Sequence, residues 1–269
     1  LEIVPQHADQ VACFEGLVRE IYVTMIPGCE CREVIQALGT IAEKGFTPVP
    51  HMAARNFRSE ADLESFFEGL KRNGIQKALI IAGGMSTPLG PYASTMEILK
   101  SPLFRYSGLK SVGLAGHPEG NSADKNSHKH LLEKVAFILE MGLGTEIVTQ
   151  WSFSPEKVRA YIDKIREWGM DAPVLAGIAG PATLKTLLKY ARICGVTAAK
   201  EVIRKQGFNF GRLLMSNDPG RFIAHLGGTD HYHLYPFGGL EKSARWLREQ
   251  AHASIIRGDL LVDEAIPRG

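Results

Sequence analysis

The feature that most constrains this chain is an alternation, repeated eight times, of short apolar runs with segments of helical period. The runs are Leu1–Val4, Ile21–Ile26, Thr47–Pro50, Lys77–Ala82, Lys110–Ala115, Glu146–Trp151, Pro173–Ile178 and His231–Tyr235. Each has the length of a strand rather than a buried helix. Between them, Leu63, Phe66, Phe67 and Leu70 fall at i, i+3, i+4 and i+7, as do Val158, Tyr161, Ile162 and Ile165, and Leu184, Leu187, Leu188 and Ala191. Leu131, Leu132, Val135, Ile138 and Leu139 make a similar stripe. Ser59 and Ser154-Pro155 supply helix-start signals. Eight strand–helix units spread over about 250 residues predict an α/β fold, a (β/α)8 TIM barrel, ahead of a doubly wound open sheet. No Gly/Pro-rich linker interrupts the pattern, so residues 1–269 are expected to form a single domain, with extra helices around 196–225 before the last strand.

Composition narrows the function. A net charge of +2 gives no electrostatic case for nucleic acid or an anionic membrane. No apolar run approaches the roughly 20 residues of a membrane helix, and no signal peptide is expected. The chain opens on Leu1 without a methionine, so a few natural residues are expected to precede it. Cys13, Cys29, Cys31 and Cys194 show no framework spacing, which predicts reduced thiols and a cytoplasmic location. A small-molecule substrate is expected, and a homo-oligomer is left open.

In a barrel the strand C-termini converge on one face, where the sequence places Glu2, Thr24, His51, Arg55, Gly83-Gly84, His117, Glu119, Gln150, Gly177 and Tyr235. His117 and Glu119 lie in the turn that ends the run Ser111–Asn121. Glu2, between Leu1 and Ile3, is expected to have a raised pKa suited to a general acid, the alternative being an exposed residue at a frayed end. Gln150 offers an amide that donates and accepts at once, or a satisfied buried polar group. His51 closes the third run, and a lone histidine there is more often structural. His231-x-His233 would point both rings to one side of a strand without a third ligand, and His128-x-His130 would face different sides of a helix. No metal site is therefore expected. Gly83-Gly84 and Gly238-Gly239 are candidate phosphate-approach turns. No Rossmann fingerprint, triphosphate loop or Gly-x-Ser-x-Gly occurs. The residues alone define a barrel enzyme with a polar site suited to an organic cofactor.

Taken together, the motifs resemble the methylenetetrahydrofolate reductase family of flavin-containing barrels. Glu2-Ile3-Val4-Pro5 resembles the family's Glu-x-x-Pro, whose glutamate is the catalytic acid, and Val23-Thr24 its second-strand Val-Thr. Pro50-His51-Met52 is similar to a Pro-His segment whose histidine touches flavin, and Tyr92-Ala93-Ser94 to a loop along the flavin's phosphate arm. Ala115-Gly116-His117-Pro118-Glu119-Gly120 resembles Ala-x-Tyr-Pro-Glu-Gly, and Thr149-Gln150-Trp151 resembles Thr-Gln-Phe, whose glutamine binds the folate ring. Gly177-Ile178 matches a Pro-Gly-Ile. Ala82-Gly83-Gly84 departs from Arg-Gly-Asp, removing an aspartate that contacts the pterin and an arginine that contacts the cofactor. His117 stands for tyrosine, Asn121 for a frequent histidine, His130 and Glu133 for aspartate and asparagine, and Pro236-Phe237-Gly238-Gly239 for Leu-Asn-Arg. The usual cofactor-binding lysine of the helical segment carrying His130 and Glu133 is missing.

The resemblance implies a divergent short form, without the regulatory domain of longer members. It would reduce 5,10-methylenetetrahydrofolate to 5-methyltetrahydrofolate through FAD with NADH or NADPH. It further implies Glu2 as the acid, and Gln150 with Tyr235 at the substrate. Thr24, His51, Gly83, Gly84, Tyr92, Ala93, Ser94, His117, Glu119, Asn121 and His130 are expected at the cofactor. The alternatives are a flavin-free tetrahydrofolate-binding one-carbon or methyl-transfer barrel, and a non-catalytic cofactor-binding subunit.

Overall fold

A computed structural model describes residues 1–121, 123–196, 217–227 and 229–252. Most of the stretch expected to hold extra helices, residues 197–216, lies outside the described residues. Eight strands run β1 Glu2–Ile3, β2 Glu20–Val23, β3 Thr47–Ala53, β4 Lys77–Ile81, β5 Ser111–Gly116, β6 Gly144–Thr149, β7 Val174–Ala179 and β8 Tyr232–Tyr235. They pair in chain order, every pair parallel. The registers run from Glu2 opposite Tyr22 to Ala179 opposite Tyr235. A side-chain hydrogen bond from β8 to β1, His233 to Glu2, spans the seam of the nearly closed barrel.

The helices begin where their first side chains can satisfy free amides. In α1 (Cys31–Glu43), Glu30 and Glu33 form a reciprocal capping box, and in α3 (Thr95–Lys100) Ser94 and Glu97 do the same. Ser59 caps α2 (Glu60–Arg72). Ser154, followed by Pro155, caps α5 (Pro155–Glu167). Between them lies α4 (Ser127–Glu140). Thr183 opens α6 (Leu184–Cys194), which Gly195 ends in the left-handed conformation. Asp218 caps α7 (Pro219–Leu226), which falls within the range expected for extra helices, and α8 spans Leu240–His252. No helix among the described residues is long and apolar enough to cross a membrane.

The helical stripes pack on the outside of the sheet. Leu63, Phe66, Phe67 and Leu70 of α2 are all buried, as are Val158, Ile162 and Ile165 of α5. Each such side chain contributes about 1.5–3 kcal/mol by leaving water. On α4 the expected stripe is too wide: Leu131, Val135 and Ile138 are buried, but Leu139 is 57% exposed because it lies one residue past the inward face. Inside the barrel, Tyr22, Val49, Leu79 and Val148 form a separate apolar layer. Beneath it, Lys77 of β4 bridges Glu20 of β2 at 2.8 Å and Glu146 of β6 at 2.6 Å, and the Tyr22 hydroxyl donates to Glu146 at 2.5 Å. These charges, from the first residues of β2 and β4 and the third of β6, fill the barrel floor.

Candidate active site

The first strand carries Glu2 into the upper layer of the barrel. There His233 Nε2 of β8 lies 3.1 Å from Glu2 Oε2, and His51 Nε2 of β3 lies 3.4 Å from the same oxygen. The first contact is a hydrogen bond; the second is close enough for charge attraction but lacks hydrogen-bond alignment. The Tyr22 ring meets His233 edge-on at 4.6 Å and His51 at 6.4 Å. Burial alone would raise the Glu2 pKa, but the positive field of His51 and the hydrogen bond from His233 outweigh it and hold the carboxyl below its usual range. The expected raised pKa is thereby corrected: apolar neighbours in sequence are not its neighbours in space. His233 goes the other way, lowered by burial to about 4, and is neutral at pH 7.

Two strand readings are corrected with it. β3 continues to Ala53, so His51 sits inside the strand rather than closing it. β8 starts at Tyr232, which leaves His231 outside and makes His233 the inward member of the pair. His233 is the member of this cluster that sequence reasoning weighed only as a metal ligand and set aside. Its signal was present as a histidine between Tyr232 and Leu234 in the last apolar run. Among the described residues no group of three or more His, Cys, Asp or Glu side chains could hold a metal ion.

The substrate candidates flank this cluster. The Gln150 amide donates to the Cys194 carbonyl at the end of α6. The Tyr235 hydroxyl donates to the Thr149 carbonyl at 3.1 Å, and its ring lies 4.8 Å from His233. Gly177 permits this arrangement, because a Cβ there would lie 2.3 Å from the Thr149 oxygen and 2.8 Å from the Trp151 nitrogen. Phe237 stacks between Tyr190 at 4.3 Å and Tyr235 at 5.6 Å.

The cofactor candidates divide into two groups. At the C-terminal ends of β2 to β4, Arg55 donates to the carbonyls of Ala93 and Met85, each at 2.9 Å, and so ties down the loop carrying Tyr92, Ala93 and Ser94. Ser94 is committed to capping α3, and the Ala93 amide bonds Glu97. Gly83 has φ +93°, with Ala53 close against the space where a Cβ would stand. Gly84 has room for a side chain, its nearest neighbour being Pro27 at 3.7 Å. After β5, His117 is lowered by burial, and by the nearby Lys134, to about 4. It lies 3.4 Å from the Asn121 amide, while Ser152 donates to Glu119 at 2.5 Å. His130 sits on the surface, 2.8 Å from Asp124. A cleft of about 630 Å³ opens beside this turn, lined by His117, Gly120, Asn121, Lys157, Tyr161 and Trp168. At Gly238 a Cβ would strike the Pro181 oxygen at 1.8 Å, so backbone packing requires a glycine there.

A test of fit to a flavin comes from unpartnered polar atoms. The Thr24 and Tyr92 hydroxyls are buried without a hydrogen-bond partner among the described residues, and both belong to the expected cofactor set. Buried hydroxyls normally find partners, so this pair is suited to a polar ligand, and the residues present fit the group.

The fold and the site define a (β/α)8 barrel in which ionisable side chains of β1, β3 and β8, namely Glu2, His51 and His233, are drawn together. The family model for methylenetetrahydrofolate reductase matches residues 21–207, and the chain belongs to that family. Methylenetetrahydrofolate reductase 1 of Schizosaccharomyces pombe (strain 972 / ATCC 24843) is 31% identical over 108 residues, 39% of this chain and 17% of that relative's length. A crystal structure of D-psicose 3-epimerase in the presence of D-fructose covers 87% of this chain and 72% of its own, at 11% identity and a TM-score of 0.33, too distant to carry an argument.

Proposed function

We propose that this protein reduces 5,10-methylenetetrahydrofolate to 5-methyltetrahydrofolate with NADH or NADPH, using FAD. The observation that carries the reading is the Glu2 carboxyl, held between two imidazoles at the barrel mouth in a member of this family. FAD, when bound, supplies a two-electron carrier between the nicotinamide and the folate's methylene carbon. Thr24, His51, Gly83, Gly84, Tyr92, Ala93 and Ser94 would hold it on the β2–β4 side, and His117, Glu119 and Asn121 on the β5 side.

The chain's own residues supply orientation and the proton. Opening the methylene bridge to an iminium requires protonation of a folate nitrogen, and Glu2 is the group assigned to deliver it. Gln150 orients the pterin by donating and accepting at its edge, once its amide exchanges the Cys194 carbonyl for substrate. Tyr235 walls the same site. The four free cysteines support a reducing, cytoplasmic setting.

A second reading rests on Ala82-Gly83-Gly84, which lacks the family's charged pair: a flavin-free folate-binding transfer barrel, or a cofactor-binding subunit without turnover. Incubating the purified protein with excess FAD and recording its visible spectrum separates the readings. A bound flavin bleached by NAD(P)H supports the reductase. A protein that stays colourless while binding tetrahydrofolate overturns it in favour of the transfer barrel.

A further inference from the structure

The short turn Ala54–Asn56 that follows β3 ties the loop after β2 to the long loop between β4 and α3. The Arg55 guanidinium donates from Nε to the Ala93 carbonyl and from Nη1 to the Met85 carbonyl, each at 2.9 Å. Its backbone amide donates to the Ala82 carbonyl at 3.0 Å, and its backbone carbonyl accepts from the Leu89 amide at 2.9 Å. Asn56 Nδ2 donates to the Ile26 carbonyl, also at 2.9 Å.

The two carbonyls orient the guanidinium without neutralising it. A guanidinium has five N–H donors, so Nη2 and the second N–H of Nη1 stay available. The neighbouring Arg58 pairs with Glu30 at 2.7 Å, whereas no carboxylate among the described residues lies within ion-pair distance of Arg55. Glu97 of the same loop is taken up by the amides of Ala93 and Ser94. Beside this half-exposed cation lie polar atoms that have no partner. Tyr92 is 5% exposed and Asn56 6%, and the Tyr92 hydroxyl and Asn56 Oδ1 both lack a hydrogen bond among the described residues, as does the Thr24 hydroxyl. Asn56 Oδ1 faces the turn after β4, 3.4 Å from where a Cβ on Gly83 would stand. Native proteins leave few buried polar atoms unpaired, so a set of them beside an unbalanced charge points to a ligand. That ligand carries its anion outward, at Arg55, and its uncharged polar groups inward.

We infer that Arg55 is the phosphate anchor of the cofactor site, holding the phosphate arm of a flavin nucleotide at the rim while Asn56, Tyr92 and Thr24 meet its uncharged part. This rests on the flavin reading of the site. The charge comes from the turn after β3, whereas Ala82-Gly83-Gly84 after β4 carries none. The carbonyls of Ala93 and Met85 hold the guanidinium fork in place before the anion arrives, so little side-chain freedom is lost on binding. The free N–H groups then donate charge-assisted hydrogen bonds to phosphate oxygens.

The test titrates the full chain, freed of flavin, with FAD and with riboflavin, followed by flavin fluorescence, and with inorganic pyrophosphate, followed by calorimetry. In the wild type, FAD binding should weaken as salt is raised and riboflavin binding should not. Arg55→Gln should weaken FAD by about 10-fold to 100-fold and change riboflavin little, and Arg55→Lys should recover part of the loss. Equal losses for FAD and riboflavin would show that Arg55 only ties the loop, and would overturn the anchor. An unchanged FAD affinity in folded Arg55→Gln overturns it as well. FAD binding that is indifferent to salt in the wild type overturns it even if neither variant folds. Pyrophosphate binding that Arg55→Gln abolishes, in a protein that takes up no flavin, leaves the anchor standing and removes the FAD reading instead. A protein that binds neither flavin nor pyrophosphate overturns both.

Discussion

His233 donates to Glu2 across 3.1 Å although 231 positions separate them in the chain. Closing the barrel brings the last strand against the first, so the candidate acid is set by both ends of the fold together. The acid thus depends on β8 as much as on the strand that carries it.

Acidification should unfold the protein in a defined window. His233 and His117 have folded-state values near 4, below their ordinary 6.5, so the unfolded chain takes up protons more readily between those values. Stability is complete above pH 6.5 and declines as pH falls toward 4, by on the order of 3 kcal/mol for His233. The depressed Glu2 value adds a further loss below 4.5. Thermal unfolding scans from pH 8 to 4 should show Tm falling below about 6.5, and His117→Phe should remove part of that fall. A flat Tm across the window would contradict the burial of both rings.

Lys77→Met should cost about 3–5 kcal/mol in urea unfolding, because it leaves the Glu20 and Glu146 carboxyls in the barrel floor without their shared cation. Adding Glu146→Gln should recover part of the loss. A single-variant loss under about 1 kcal/mol would mean that water already neutralises the cluster.

Gly84→Asp, which restores the family's carboxylate, should fold within about 0.5 kcal/mol of the wild type, since the added Cβ meets only Pro27 at ordinary contact distance. Gly177→Ala should cost at least about 3 kcal/mol, because its Cβ would run into the backbone of β6 and the residues after it. Equal losses in the two variants, measured by the same urea titration, would contradict the local geometry.

The barrel was legible because its signal is local: short apolar runs and period-3.6 patterns depend on neighbours in sequence. The run Lys77–Ala82 became Lys77–Ile81, and Lys110–Ala115 became Ser111–Gly116. Boundaries slipped where pairing partners decide them, as at β6, which starts at Gly144 rather than Glu146. The family motifs singled out Glu2, His51, Gln150 and Tyr235, and the fold sets His51 against Glu2 and Tyr235 within the field of Glu2. The electrostatics were not legible. Leu1 and Ile3 suggested an apolar setting for Glu2, whereas its partners come from β3 and β8. Likewise Glu20, Lys77 and Glu146 are far apart in sequence, and only the closed barrel makes them one partly buried cluster.

The central claim is most directly tested by following flavin absorbance anaerobically through the two half-reactions, in the wild type and in Glu2→Gln. In the wild type loaded with FAD, NAD(P)H should bleach the yellow band and 5,10-methylenetetrahydrofolate should restore it. In Glu2→Gln the bleaching should persist and the recovery should slow by about 100-fold or more. A wild-type protein that shows no recovery with the folate, or a Glu2→Gln variant that recovers at the wild-type rate, would contradict the account.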